Sequence, residues 1–254
     1  MTDRTNLLES RVALVTGAGS GIGRAIADQF AAEGAMVVAS DIDEAGGSET
    51  VAAIQDGGGR ATFVRADASN PADSEALVRA AVDAFGALHV AVNNAGVSGP
   101  TAPVGEYPID GWDRVIAVNL SGVFYGMRHQ IPAMLAAGGG SIVNIASILG
   151  QVGFRNAPAY VAAKHGVVGL TRTAALEYGA RKIRVNAVGP GFIQTPLIEE
   201  GMTPEAREGL VALHPIGRLG ESPEVAELVT WLASDKASFV TGAYYAVDGG
   251  YLAQ

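Results

Sequence analysis

Three side chains in this sequence have types and spacings that suit proton transfer. Tyr160 and Lys164 stand four residues apart, so on a helix they share one face, one turn from each other. A free phenol has a pKa of about 10, too high for a base near neutrality. An ammonium held beside it favours the phenolate and brings that pKa down. Ser147 follows an apolar run, Ser141-Ile142-Val143-Asn144-Ile145-Ala146. That run reads as a buried strand, which delivers the hydroxyl to the carboxyl edge of a sheet. Taken alone, the Tyr160–Lys164 spacing also describes a half-buried phenol and a solvated amine on an ordinary helix.

A second group of residues could hold a phosphate-bearing ligand. A short apolar strand from Arg11 to Thr16 runs into Gly17-Ala18-Gly19-Ser20-Gly21-Ile22-Gly23, and a helix follows from Arg24 to about Ala32. Strand, glycine-rich turn and helix N-terminus make a cradle for a pyrophosphate, with bare backbone and unpaired N–H groups. The spacing differs from the usual Gly-x-Gly-x-x-Gly fingerprint. The next strand, from Met36, ends in Asp41, whose carboxylate can take both ribose hydroxyls of an adenosine. The other reading of Asp41 is a helix cap, but Asp43 fits that position better.

The elements that must position these groups alternate. Strands are expected over 61–66, 88–92, 141–146, 184–188 and 243–247, with helices to about Gln55, over 71–85, 110–137, to Tyr178, and over 223–233. The strands are apolar on both faces, the mark of a parallel sheet covered on both sides. Asn119-Leu120-Ser121-Gly122 interrupts the helical stretch over 110–137 with poor helix formers, which marks a local kink or simply close helix packing at Gly122. The expected fold is therefore α/β, a single-domain Rossmann-like doubly wound parallel sheet of about seven strands. Residues 1–10 read as a flexible arm, residues 11–254 as the domain, and about 195–215 as a helical lid.

Composition removes several function classes. The chain has 254 residues, no cysteine and a net charge of −9 with no basic run. Disulfides, thiolate nucleophiles and cysteine metal sites are excluded, and nucleic acid or an anionic membrane is a poor partner. The four histidines, His89, His129, His165 and His214, show no ligand spacing, so no metal is expected. Without an apolar leader or a long apolar span, the expectation is a cytoplasmic protein.

Taken together, the motifs resemble those of the short-chain dehydrogenase/reductase family, in its compact branch of about 250 residues. Thr16 to Gly23 is similar to its cofactor loop, and Asn93-Asn94-Ala95-Gly96 to its sheet-stabilising motif. Asn119, Ser147, Tyr160 and Lys164 match its catalytic tetrad, and Pro190-Gly191 with Thr195 its nicotinamide segment. The resemblance implies hydride transfer between an alcohol or ketone and a nicotinamide cofactor. Tyr160 is then the acid/base, and Ser147 binds the substrate oxygen. Lys164 lowers the Tyr160 pKa and holds the nicotinamide ribose, and Asn119 holds a water. It further implies cofactor contacts at Gly17, Ser20, Gly21, Ile22, Gly23, Asp41, Asp67, Ala68, Asn94, Ala95, Gly96, Pro190, Gly191, Ile193 and Thr195. Two departures, Ala163 before Lys164 and Ala146 before Ser147, stand where serines are frequent in the family, and the first can loosen support of the lysine.

Asp41 repels a 2′-phosphate, and no cation stands between Ala18 and Ile22, which favours NAD. The substrate pocket is expected from segments 98–103, 148–154 and 197–213, with Ile148, Leu149, Val152, Phe154, Leu197 and Met202 as apolar walls. A neutral secondary alcohol and its ketone fit such walls. Arg155 could meet a carboxylate or stand solvated at the rim. A 3-oxoacyl-carrier-protein type reductase and a non-catalytic NAD-binding sensor are the alternatives. The helices carrying Val161, Val167, Val168, Leu170, Ala174 and Leu176 are apolar around much of their girth, which with the resemblance implies a homotetramer.

Overall fold

The structure is a computed structural model that describes residues 6–199 and 203–254, with the side chains of residues 197 and 199 left out. Strand β1 (Val12–Thr16) leads to α1 (Gly21–Ala32), β2 (Met36–Asp41) to α2 (Glu44–Asp56), and β3 (Arg60–Arg65) to α3 (Pro71–Phe85). After β4 (Val90–Asn93) come α4 (Ile109–Ile116), a π-turn over Ala117–Ser121, and α5 (Gly122–Ala136). Strand β5 (Gly140–Ile145) precedes α6 (Pro158–Tyr178), and β6 (Ile183–Pro190) precedes the short β7 (Ile193–Gln194). Next are α7 (Pro196–Glu199), α8 (Pro204–Ala212), β8 (Gly220–Glu221), α9 (Ser222–Ala233) and β9 (Tyr244–Val247).

Seven strands form one parallel sheet in the order β3-β2-β1-β4-β5-β6-β9, while β7 and β8 pair separately. The order reverses between β1 and β4, so a crevice opens outside their carboxyl ends. Side-chain alternation divides the core between two faces. Ala13 and Val15 pack with Ile26, Phe30, Val225 and Val229 of α1 and α9. Leu14 packs on the other face with Leu77, Met127 and Val167 of α3, α5 and α6. Both faces are dry, which is why the strands read as nearly continuous apolar runs.

Punctuation follows the expected chemistry. Asp43 caps α2 by accepting from the Ala45 N–H, and Pro71 opens α3 behind the Asn70 cap. The interruption over 117–121 is a π-turn, in which the Gly122 N–H reaches the Ala117 carbonyl. One expectation needs correction. Leu8 is 1% exposed and lies in the core, and the Leu7 and Leu8 N–H groups donate to Glu33. Residues 6–10 therefore belong to the domain and are not a loose arm. The segment expected as a helical lid contains α7 and α8, with residues 200–202, including Met202, outside the described residues.

Between the sheet and α5 and α6 runs a buried polar chain. Asn93 donates to Asn144 (2.8 Å), Gln130 donates to Asn93 (2.8 Å), and Asn144 donates to Thr171 (3.0 Å). Every member has a partner, so the network fixes β4, β5 and both helices without the cost of an unpaired buried group.

Candidate active site

The carboxyl end of β1 is clasped by the exit of β4. Thr16 Oγ1 accepts from the N–H groups of Asn94 (3.0 Å) and Ala95 (3.2 Å). Asn94 Nδ2 donates back to the carbonyls of Thr16 and Gly17. Gly17 and Gly21 sit at positive φ, +65° and +51°, where a side chain would be strained. Gly23 has a different reason: a Cβ there would run into the Gly17 carbonyl. The peptide around Gly19 is held from two directions. Its N–H donates to Asp41 Oδ2 at 2.8 Å, and its carbonyl accepts from Arg24 Nη2 at 2.5 Å. Arg24 also donates to the Gly46 carbonyl and to Glu49, so it ties the loop to α2. Asp41 Oδ1 accepts from the Asp43 N–H at 3.0 Å. The Asp41 carboxylate is thus part of the loop's scaffold and not a helix cap.

Across the crevice, Ser147 ends β5 in an extended conformation and opens a 3-10 turn over Ile148–Gly150. Its Oγ accepts from the Leu149 N–H at 3.1 Å, which leaves its hydrogen for another partner. A hydrogen bond with Ser147 favours the charged form of Tyr160. Lys164, one turn along α6, is 4% exposed. Its Nζ donates to the Ile145 carbonyl at 2.8 Å and lies 5.4 Å from the centre of the Tyr160 ring. The Ile145 carbonyl is thus the main-chain acceptor that holds the lysine. Burial pushes the Lys164 pKa down to about 8. Burial raises the Tyr160 pKa, and the Ser147 hydrogen bond opposes that rise.

A cavity of about 790 Å³ joins these two ends. It is lined by every residue anticipated for cofactor or chemistry except Gly23 and Asn119. Gly23 works through packing, as above. Asn119 is wholly buried, with Oδ1 accepting from the Val97 N–H and Nδ2 donating to the Val97 carbonyl, both at 2.8 Å. Its side chain pins the loop after β4, so any water it binds must use its main chain. Thr195 closes the cavity from the other side, since a Cβ on Gly21 would meet it at 3.2 Å. Asp67 is fixed by Ser69, which donates to it through N–H and hydroxyl. The glycine cradle, the carboxylate at the tip of β2 and the cavity that joins them to Tyr160 suit a dinucleotide. Among the described residues no three His, Asp or Glu side chains gather to hold a metal ion. No described helix is long and apolar enough to cross a membrane.

The expected substrate walls are partly elsewhere. Ile148 and Leu149 are 2% and 6% exposed and face the protein interior, because the 3-10 turn is pressed onto α6. Phe154 stays at the surface and packs on Phe192. Sequence reading overlooked the cluster that Phe154 joins. Phe192, His214 and Tyr251 make mutual ring contacts with centroids 5.7–6.1 Å apart. Buried His214 accepts from the Phe192 N–H through Nε2 (3.2 Å), which assigns the proton on Nδ1 to the Leu210 carbonyl (2.8 Å). No local motif announces this cluster, because its members come from four separate segments.

Comparison with known proteins decides the family. A family model described as enoyl-(acyl carrier protein) reductase matches residues 17–252. The chain belongs to the short-chain dehydrogenase/reductase family. It is 53% identical over 247 residues to a cyclohexanol dehydrogenase of Acinetobacter sp., covering 97% of both chains. It is 49% identical to a cis-4-hydroxycyclohexanecarboxylate dehydrogenase of Sinomonas cyclohexanicum, covering 96% of this chain and 97% of the other. The crystal structure of levodione reductase superposes with a TM-score of 0.94 at 40% identity, over 97% of this chain and 99% of that one. The protein is a short-chain alcohol dehydrogenase, and dehydrogenases of this family use nicotinamide cofactors.

Proposed function

We propose that this dehydrogenase interconverts a cyclic secondary alcohol and its ketone with NAD. The observation that carries the reading is the meeting of Ser147, Tyr160 and Lys164 at one end of a cleft whose other end is Asp41 and the glycine loop. Three relatives, named for cyclohexanol, hydroxycyclohexanecarboxylate and levodione, support a ring substrate.

The chain's own groups divide the work. Ser147 donates to the substrate oxygen and opposes the build-up of charge there. Tyr160 takes the alcohol proton in oxidation and returns it in reduction. The nicotinamide, when bound, supplies the hydride acceptor and a positive charge beside Tyr160. Lys164 holds the ribose and passes the proton onward, with the Asn119 main chain anchoring the water that completes the path. Asp41 takes the ribose hydroxyls of NAD with its remaining lone pairs and disfavours a 2′-phosphate.

A carrier-protein substrate fits less well, because Arg114 and Lys164 are the only cations lining the cavity among the described residues. A ring bearing a carboxylate is the second reading, favoured by the relative named for cis-4-hydroxycyclohexanecarboxylate, with the exposed Arg155 as the cation that would meet the carboxylate. The same proposal includes a lid formed by α7 and α8, a cytoplasmic location and a homotetramer. Leu176 and Phe124, 88% and 48% exposed on α6 and α5, are apolar surface for a second copy to cover.

The test is nicotinamide absorbance with cyclohexanol and with 4-hydroxycyclohexanecarboxylate, each offered with NAD and NADP. Turnover with cyclohexanol and NAD is expected to dominate. Tyr160→Phe should lower kcat by about 10²–10⁴ with NAD still bound. Activity within about tenfold of wild type would remove Tyr160 from the proton path.

A further inference from the structure

Tyr244 sits on β9, at the edge of the sheet, and its phenol reaches the catalytic centre. Its ring crosses β6 rather than lying along its own strand. Ala187 is its partner in register, and the ring extends over Gly189 two residues further along β6. A Cβ on Gly189 would collide with the Tyr244 hydroxyl, so the glycine is the opening through which the phenol passes. Beyond it, Tyr244 Oη donates to the Ser147 carbonyl at 3.0 Å. That carbonyl also accepts from the Gly150 N–H at 2.9 Å, which closes the 3-10 turn. Both lone pairs of the Ser147 carbonyl are therefore used, one by the turn and one by a strand nearly 100 residues away in sequence.

We infer that Tyr244 is a positioning residue for the reaction, setting the direction of the Ser147 hydroxyl by holding the Ser147 main chain. The inference rests on the proposed role of Ser147. Its logic is geometric. Ser147 lies just beyond the end of β5 and opens a turn whose far end, at Gly150, packs on α6. Its Oγ is restrained by the Leu149 N–H, within the same turn. The Ser147 carbonyl itself is held by Gly150 inside the turn and by Tyr244 from β9. Tyr244 thus adds the side-chain bond from outside the turn that fixes the Ser147 peptide plane. Burial and the charge of Asp248 keep the phenol protonated, so it remains a donor throughout the working pH range.

The experiment is a double-mutant cycle of Tyr244→Phe and Ser147→Ala, with NAD and cyclohexanol. Phenylalanine fills the same space and lacks only the donor. Tyr244→Phe should lower kcat roughly fivefold, the size of one neutral hydrogen bond, with the KM for NAD unchanged. It should also move the rising limb of the pH–rate profile to higher pH, because the Ser147 hydrogen bond that lowers the Tyr160 pKa is weakened. A purely structural role would lower Tm and leave that limb in place. In the Ser147→Ala background, Tyr244→Phe should cost nothing further. Additive losses, or a single variant with wild-type kcat and pH profile, would overturn the inference. Wild-type turnover by Ser147→Ala alone would instead overturn the proposed role of Ser147.

Discussion

The two ends of the cleft are built on opposite physical terms. At the glycine-loop end, charged side chains near solvent grip the main chain: Asp41 and Arg24 hold the two sides of the Gly19 peptide, and Glu49 completes the ion pair. At the Tyr160 end Lys164 is a buried cation, and the groups around it are hydroxyls and carbonyls. A charge in water is cheap and can be spent on shaping a loop. A charge taken out of water is costly, and such a cost is tolerated where chemistry needs it. The first end is built to recognise; the second is built to shift proton affinities.

The sharpest way to break this contrast is Lys164→Met, which removes the buried cation and keeps the length. Activity should fall by about two orders of magnitude or more, since the proton path loses a member. Stability should move the other way. The Lys164 pKa is lowered to about 8 in the folded chain against about 10.4 when unfolded. Between those values the unfolded chain binds the extra proton, so wild-type stability rises with pH from about 8 to 10. Below pH 8 the full cost is present. Relieving it, less the lost bond to Ile145, should stabilise the variant by about 2 kcal/mol at pH 7. Denaturant titrations at pH 7 and pH 10 measure both arms. A variant less stable than wild type at pH 7 would show that Lys164 is not held at a cost.

Asp41 probes the other end, with a smaller effect. Asp41→Ala should reduce kcat/KM for NAD by about 10–100-fold, because charge-assisted bonds are worth about 1.5–3 kcal/mol each. The structure adds a consequence: the Gly19 N–H loses its acceptor too, so the loop loosens and NADP gains less than removal of repulsion alone would give. Ile42, 57% exposed beside the carboxylate, is placed for a cation, and Ile42→Arg should raise kcat/KM for NADP further while leaving kcat nearly unchanged. The ratio of kcat/KM for the two cofactors reads this directly. A ratio unmoved by Asp41→Ala would leave the carboxylate a loop scaffold only.

The same contrast explains what could be read from the sequence. The recognising end is contiguous: Gly17 to Gly23 and Asp41 lie within one strand–helix–strand unit, so local spacing reveals them. Tyr160 and Lys164 share a helix and are equally legible, as is the alternation that specifies a doubly wound sheet. Leu8 is not legible, because a short polar segment hides one core residue. The direction of Ile148 and Leu149 depends on how tightly a 3-10 turn meets α6, which no local pattern records. Tyr244, Phe192, His214 and Tyr251 carry no local signal, because only the fold brings their segments together. Asn119 is legible by position, but its hold on Val97 is a contact across 22 residues.

The mildest prediction tests whether the second end extends beyond the catalytic residues. His214 joins the end of α8 to Phe192, which follows the nicotinamide segment at Pro190-Gly191. A Cβ on Gly191 would meet its Nε2 at 2.8 Å, so ring and loop are in close contact. The Phe192 N–H needs an acceptor, and the Leu210 carbonyl needs a donor. His214→Asn keeps a donor near Leu210 and loses the acceptor for Phe192. His214→Gln can restore that acceptor by placing Oε1 near the former Nε2. If the bond to Phe192 sets the loop, Asn should raise the KM for cyclohexanol about fivefold, the value of one hydrogen bond. Gln should recover most of that loss, although both variants lose the ring contacts to Phe192 and Tyr251. Equal KM values for the two variants would assign the effect of His214 to aromatic packing. The dependence of this end on buried neutral groups would then stop at Ser147.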